Sequence, residues 1–212
     1  MKHTQSAEMN GKPLVLDVAS TSQGAYRLLR LRAERINADR RFENAIACPS
    51  GEEVEAIRDR GIKLYEWPVS RSLNPFKLPS EIRSLIRIFE ESGAEIVHSH
   101  NSKAGGVCRL AVAIHNRRRS QRPIKLIHQV HGFVFSQYGG LKRAVYFWIE
   151  RILARYSDYL LFQNELELEF ARENGFGRKA ELIKIGNGIS FEEFDRSSAI
   201  EDARDSSGSG PF

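Results

Sequence analysis

Cysteine is scarce in this sequence of 212 residues: there are two, Cys48 and Cys108, far apart and each within an apolar stretch. That count excludes a disulfide-stapled scaffold and fits buried free thiols in a reducing compartment, with a single bridge as the alternative. Long apolar runs are also missing, since no stretch approaches the roughly 20 residues that a membrane-spanning helix needs. The first twelve residues, MKHTQSAEMNGK, lack the apolar centre of a secretion signal. These absences lead to the expectation of a cytoplasmic protein. Familiar phosphate and nucleophile signatures are absent as well. The first strand candidate is followed by Ser20-Thr21-Ser22-Gln23-Gly24 rather than GxGxxG, and neither a Walker A sequence nor a Gly-x-Ser-x-Gly elbow occurs.

What is present is an ordinary globular composition, 41% hydrophobic and 28% charged, enough for one core without staples. The formal net charge of +5 suggests an anionic partner. The excess is local: Arg27, Arg30, Arg32 and Arg35 form one cluster, Arg117 to Arg119 with Arg122 a second, and Lys142 with Arg143 a third. No helix-turn-helix, zinc-finger or RNA-binding signature accompanies it, so nucleic acid is not the expected partner. A phospholipid surface, a phosphate-bearing substrate and plain solvated helix faces all fit the clusters.

Short β-branched runs alternate with helical patterns. The strand candidates are Leu14–Ala19, Glu43–Cys48, Ile62–Trp67, Glu95–His100, Lys125–His131, Asp158–Gln163 and Glu181–Ile185. Their continuous apolar character predicts strands covered on both faces. Helices are expected over Ala25–Ala38, with Leu28, Leu29 and Ile36 on one side, over Leu78–Ser92 and over Leu141–Tyr156. In the last of these, Leu141, Val145, Trp148, Ile149 and Ile152 form a stripe expected mostly to pack on the sheet, leaving Lys142 and Arg143 as a basic tip for an anionic membrane. The alternation βαβα predicts an α/β fold, a doubly wound, Rossmann-like parallel sheet. Residues 1–12 are expected to be a flexible tail, 13–190 the domain, and 191–212, rich in Ser, Gly and acid, a linker or disordered tail.

Ligands in such sheets bind at the carboxyl ends of strands. One such end reads His98-Ser99-His100-Asn101-Ser102-Lys103-Ala104-Gly105-Gly106, where small residues and free amides at a helix start suit an anion, and Lys103 adds charge. The same residues also suit a plain helix cap at Asn101 or Ser102 with tight packing at Gly105 and Gly106. Another end reads His128-Gln129-Val130-His131-Gly132, with Gly132 free to turn and expose the imidazole of His131, which can donate to a hydroxyl or a developing charge. A structural turn is the alternative. His98 and His100 share one strand face, while His128 and His131 point oppositely. Without a carboxylate or thiolate nearby in sequence, these histidines are expected in a core or cleft, and no metal is expected.

In order, HSH-x-x-KAG, VHGF, the segment ERILARYSD and I-x-N-G-I resemble the N-terminal, acceptor-side domain of family 4 retaining glycosyltransferases, over about residues 13 to 194. The resemblance implies one half of a GT-B enzyme that transfers a sugar from an NDP-sugar, a UDP-sugar in the first instance, to a glycan or lipid-linked acceptor in cell-surface polysaccharide or glycolipid synthesis. It needs no further cofactor and works in the cytoplasm or peripherally on the inner membrane face. By position it makes His131 the catalytic histidine at the donor sugar and puts Gly24, Asn164 and Glu165 on the donor-phosphate side. His100, Asn101, Ser102, Lys103, Gly105, Gly106 and Gly132 fall on the acceptor or anion side. Asn187 and Gly188 match the crossing to a second domain. The loop at Gly24 has one glycine where many members have two. The donor-binding half has no counterpart in these 212 residues, so a missing C-terminal domain or a partner subunit is implied. The alternative is a non-catalytic domain that binds an acceptor or partner and has lost donor chemistry.

Overall fold

All seven apolar runs form strands, and they lie parallel in one sheet of order β3-β2-β1-β4-β5-β6-β7. The computed structural model describes residues 11–70, 74–119 and 122–186. Most of the expected N-terminal tail, all of the tail over 191–212, and Asn187 and Gly188 fall outside the described residues. The strands are β1 (Leu14–Val18), β2 (Glu43–Cys48), β3 (Lys63–Glu66), β4 (Ile96–His100), β5 (Lys125–Val130), β6 (Tyr159–Phe162) and β7 (Glu181–Lys184). Each expected strand agrees with the observed one to within a residue or two at its ends.

The helices are α1 (Ser22–Gly24), α2 (Arg30–Asp39), α3 (Glu53–Arg58), α4 (Leu78–Ser92), α5 (Ser102–Arg118), α6 (Gly140–Leu153) and α7 (Glu165–Glu173). Strand order reverses direction between β1 and β4, so right-handed crossovers send the two sets of helices to opposite faces. On one face the helical stretch Ala25–Asp39, which includes α2, and α3 cover β1 and β2 through Ala25, Leu29, Ala33, Val54 and Ile57. On the other, α4 and α5 cover the centre through Leu85, Phe89, Val107, Cys108 and Ala111. Beside them α6 and α7 close a phenylalanine-rich cluster of Phe133, Phe135, Phe162 and Phe176 over β5 and β6. Cys48 and Cys108 are free and buried in cores on opposite sides of the sheet, which removes the bridge alternative.

Two helix faces differ from expectation. A π-turn at Ala25–Leu29 precedes α2. The extra residue shifts the register, so Ala25, Leu29 and Ala33 face the core while Leu28 is exposed. Helix α6 is rotated as well. Leu141, Val145, Trp148, Ile149 and Ile152 are between 45% and 81% exposed instead of packing on the sheet. The inward side carries Tyr146 and Phe147, which join the aromatic cluster, and Glu150, which meets the buried Arg109 of α5 at 2.7 Å. This helix has two apolar faces, and the aromatic one fills the core.

Helices α4 to α7 all lie on one face, so the other face is thinly covered over β5 to β7. Ile127, Gln129, Tyr159, Leu161 and Ile183 are half-buried there. The cleft opens along this face toward the strand ends.

Candidate active site

The switch point between β1 and β4 places Asp17 directly beside His98 in register. An aspartate in the strand LVLDV is buried on the α2 side of the sheet, where a carboxylate must find partners. It finds four. Arg32 of α2 forms an ion pair with both carboxylate oxygens. Asn44 Nδ2 donates to Oδ2 at 2.7 Å. His100 Nε2 lies 3.2 Å from Oδ1, and His98 Nδ1 lies 3.4 Å from the same oxygen. Burial raises the pKa of Asp17, but Arg32 and the hydrogen bond from His100 outweigh it and hold the carboxyl well below the usual carboxylate range.

The contacts continue outward. His100 Nδ1 lies 3.3 Å from His131 Nε2, and Gln163 Nε2 lies 2.8 Å from His131 Nδ1. An ionised carboxylate only accepts, so the order of protons follows from Asp17. His100 donates from Nε2 and accepts at Nδ1. His131 then donates from Nε2 and accepts at Nδ1 from the Gln163 amide. Burial, with His100 as a secondary cause, lowers the His131 pKa to about 4. His131 is therefore a neutral imidazole at neutral pH, with its one hydrogen directed at His100.

Gly132 follows at φ +99°, a left-handed conformation that glycine adopts at little cost and that turns the chain sharply after β5. His131 is half-buried and faces a cleft of about 450 Å³. Arg27, Arg32 and Arg35 of the α2 stretch line the opposite wall, with His98, His100 and Gln163 on the sheet side. With Arg32 engaged by Asp17, Arg27 and Arg35 beside the neutral imidazole of His131 suit a phosphate-bearing ligand carrying hydroxyls. His98 is buried with neither ring nitrogen hydrogen-bonded, and burial, then His100, push its pKa well below the ordinary value.

The ligating atoms of Asp17, His98 and His100 lie within 4.8 Å of one another, a spacing that could hold a metal ion. The carboxylate missing from the local sequence is thus supplied by a neighbouring strand. Arg32 already neutralises that carboxylate, so a cation there would have to displace the guanidinium.

The other sequence-predicted residues divide. Asn101 caps α5, accepting from Ala104 N at 3.0 Å and from Ser20 Oγ at 2.9 Å, in a left-handed backbone at φ +61° that is uncommon outside glycine. Asn101 and Ser102 line a second cavity of about 160 Å³ with His131, Gly132 and Val134. Gly105 is a packing residue: a Cβ there would sit 2.3 Å from the His128 ring, which is itself hydrogen-bonded to Ser99 Oγ at 3.0 Å. At Gly106 a Cβ would meet Leu153 at an ordinary 3.8 Å. Lys103 reaches Glu81 of α4 at 3.2 Å. The Gly24 amide donates to Thr21 Oγ1 at 3.1 Å. Asn164 caps α7 through Glu167 N at 2.9 Å, and Glu165 pairs on the surface with Lys184 at 3.0 Å. Neither Gly24, Asn164 nor Glu165 lines the two cavities.

Asp17 and Gln163 were not anticipated. An acid inside an otherwise apolar strand and a glutamine closing another were the available signals.

The profile of the glycosyl transferase 4-like domain matches residues 24–188. The chain is similar to the Escherichia coli protein named UDP-Gal:alpha-D-GlcNAc-diphosphoundecaprenol alpha-1,3-galactosyltransferase, with 24% identity over 200 residues, covering 92% of the chain and 48% of that protein. An uncharacterized 41.2 kDa protein in the cps region of Klebsiella pneumoniae is 22% identical over 179 residues, 84% of the chain and 47% of the relative. The chain thus spans about half the length of these relatives. Among solved structures, Anabaena HepE in complex with UDP and glucose superimposes with a TM-score of 0.65 at 12% identity, covering 92% of this chain and 50% of that one. A glycosyltransferase from Rickettsia africae gives 0.63 at 16% identity, with 95% and 51% covered. These two likenesses show the fold.

Proposed function

The chain belongs to the glycosyl transferase 4-like domain family, and from that premise we propose that it forms the acceptor-side half of a retaining glycosyltransferase. The donor is an NDP-sugar, a UDP-sugar in the first instance, and the acceptor is a glycan or lipid carried on a diphosphate. The observation that carries this reading is the cleft in which neutral His131 faces Arg27, Arg32 and Arg35. The arginines suit the diphosphate of a lipid-linked acceptor, the kind of acceptor named for the Escherichia coli relative. His131 faces the cleft with its Nε2–H held by His100, and a ligand that takes over that hydrogen bond receives a proton donor at a sugar hydroxyl or at charge that develops as the sugar leaves its diphosphate.

In this reading a second domain, joined to the chain or supplied by a partner subunit, contributes the groups that hold the nucleotide. No helix of the described residues is long and apolar enough to cross a membrane. A lipid-linked acceptor places the enzyme's work at the cytoplasmic membrane face.

The test is a chimera in which this domain replaces the corresponding half of the Escherichia coli relative. Transfer of radiolabelled sugar from a UDP-sugar to a diphosphate-linked lipid is expected, and His131→Ala should lower it by about 10²-fold or more. Undiminished transfer in that variant contradicts the role of His131. An inert chimera that still binds the acceptor favours a non-catalytic binding domain.

A further inference from the structure

Glu150 is buried on α6, yet its side chain lines the small cavity beside His131. One carboxylate oxygen, Oε2, accepts from Arg109 of α5 at 2.7 Å, and Arg109 is itself only 1% exposed. The other oxygen has no hydrogen-bond partner among the described residues. A buried ion pair brings little stability over apolar side chains of the same volume. Packing alone therefore gives no reason for a carboxylate at a cavity wall, whereas a ligand does.

The rest of the lining narrows the chemistry of that ligand. Asn101 and His128 are already engaged, with Ala104 N and Ser99 Oγ. Ser102, at the start of α5, and Gln137 carry a hydroxyl and an amide without a side-chain partner among the described residues. Phe133 and Val134 add an apolar wall. The cavity thus offers one strong acceptor, two groups that both donate and accept, and one apolar surface. A plain apolar ring would leave the polar groups unpaired, and an anion would meet the carboxylate. A ring that carries hydroxyls satisfies both walls. Volume sets the size: this cavity has about 160 Å³, and one of about 150 Å³ takes a single six-membered ring. It is too small for a nucleotide and fits one pyranose.

Gln129 and His131 line this cavity and the arginine cleft alike, so the two adjoin at His131. We propose that the small cavity is the subsite for the sugar ring of the acceptor, and that Glu150 accepts a hydrogen bond from one of its hydroxyls. The diphosphate attached to that ring lies in the cleft of Arg27 and Arg35. Arg109 holds the carboxylate in place and touches no ligand. A site built to hydrogen-bond a hydroxyl rejects a sugar that lacks or misplaces it, so Glu150 sets which acceptor sugar is taken. This subsite rests on the glycosyl-transfer reading and deepens it.

The experiment is isothermal titration calorimetry of the 212-residue chain with hexyl diphosphate and with its glucosyl, galactosyl and N-acetylglucosaminyl esters. At least one sugar is expected to tighten binding about tenfold or more over hexyl diphosphate, the strength of a hydrogen bond to a charged group. Glu150→Gln keeps the shape of the side chain and an oxygen for Arg109. It should cut the gain to below about threefold, while affinity for hexyl diphosphate stays unchanged. Ser102→Leu fills the cavity from the α5 side, leaves the Arg109 pair intact and should abolish the gain. Circular dichroism with thermal unfolding verifies that both variants fold, and Ser102→Leu carries the test if Glu150→Gln does not. A gain that persists in folded Glu150→Gln overturns the role of Glu150, and one that persists in Ser102→Leu overturns the cavity as its site. No gain from any of these sugars overturns the subsite and leaves the diphosphate cleft standing. Absence of hexyl diphosphate binding as well overturns the functional reading beneath it.

Discussion

Asp17 Oδ1 and His100 Nε2 lie 3.2 Å apart across 83 residues of sequence. That contact fixes the direction of every proton between the sheet centre and the cleft. The buried carboxylate is ionised, so His100 turns its Nε2–H inward and its Nδ1 lone pair outward, and His131 is left with a hydrogen on Nε2.

Replacing Asp17 with Asn removes the obligate acceptor without changing the side chain's shape. The His131 tautomer should then shift from Nε2–H toward Nδ1–H, read by long-range ¹⁵N–¹H correlation of the imidazole. An Nδ1–H tautomer already present in the unmodified chain, or no change in the variant, contradicts the relay.

Stability should fall with acid. His98 and His128 are held neutral by burial, His131 has a pKa of about 4, and all three lie below the ordinary histidine value in the folded chain. Their contribution is fully present above the unfolded pKa of about 6.5 and is lost as pH falls below it, because the unfolded chain takes up protons that the folded one refuses. Each fully buried histidine should cost about 1.4 kcal/mol per pH unit below 6.5. Urea denaturation from pH 7.5 to 5 measures the slope, and a flat profile contradicts the neutral assignment.

Gly105→Ala should destabilise the domain, because the new methyl would press on the His128 ring rather than on a flexible side-chain end. Overpacking of this kind costs about 1–3 kcal/mol. Gly106→Ala, with its nearest neighbour 3.8 Å away, should be nearly silent in the same thermal melt.

Glu150→Ala strands the guanidinium of Arg109 in the core. A loss of about 3–5 kcal/mol is expected from urea denaturation, as for other buried pairs deprived of one partner. A loss below 1 kcal/mol would show that α6 is not anchored by this pair.

The sheet was legible because parallel strands buried on both faces must be continuously apolar, as Ala45-Ile46-Ala47-Cys48 and Leu160-Leu161-Phe162 are. The pairing of His98 with His100 on one face and the opposition of His128 to His131 followed from the period of two. Asn101 was readable as a helix start because its side chain serves the local backbone. Asp17 was not legible as a site residue, since its partners Arg32, Asn44 and His100 are brought to it only by the crossovers. The destination of Lys103 was hidden for the same reason, because Glu81 belongs to a different helix. In α6 the periodicity was seen correctly and assigned to the wrong side, since Tyr146 and Phe147 offered a second apolar face with larger rings to bury.

The most direct test of the account is a titration of the isotope-labelled chain with a soluble alkyl diphosphate-linked sugar, followed by NMR of the imidazole and guanidinium groups. Saturable shifts confined to His98, His100, His131, Arg27, Arg32 and Arg35, abolished by Arg27→Glu with Arg35→Glu, are the predicted result. Shifts scattered over other surfaces, or none at millimolar ligand, would contradict the assignment of this cleft to a diphosphate-linked acceptor.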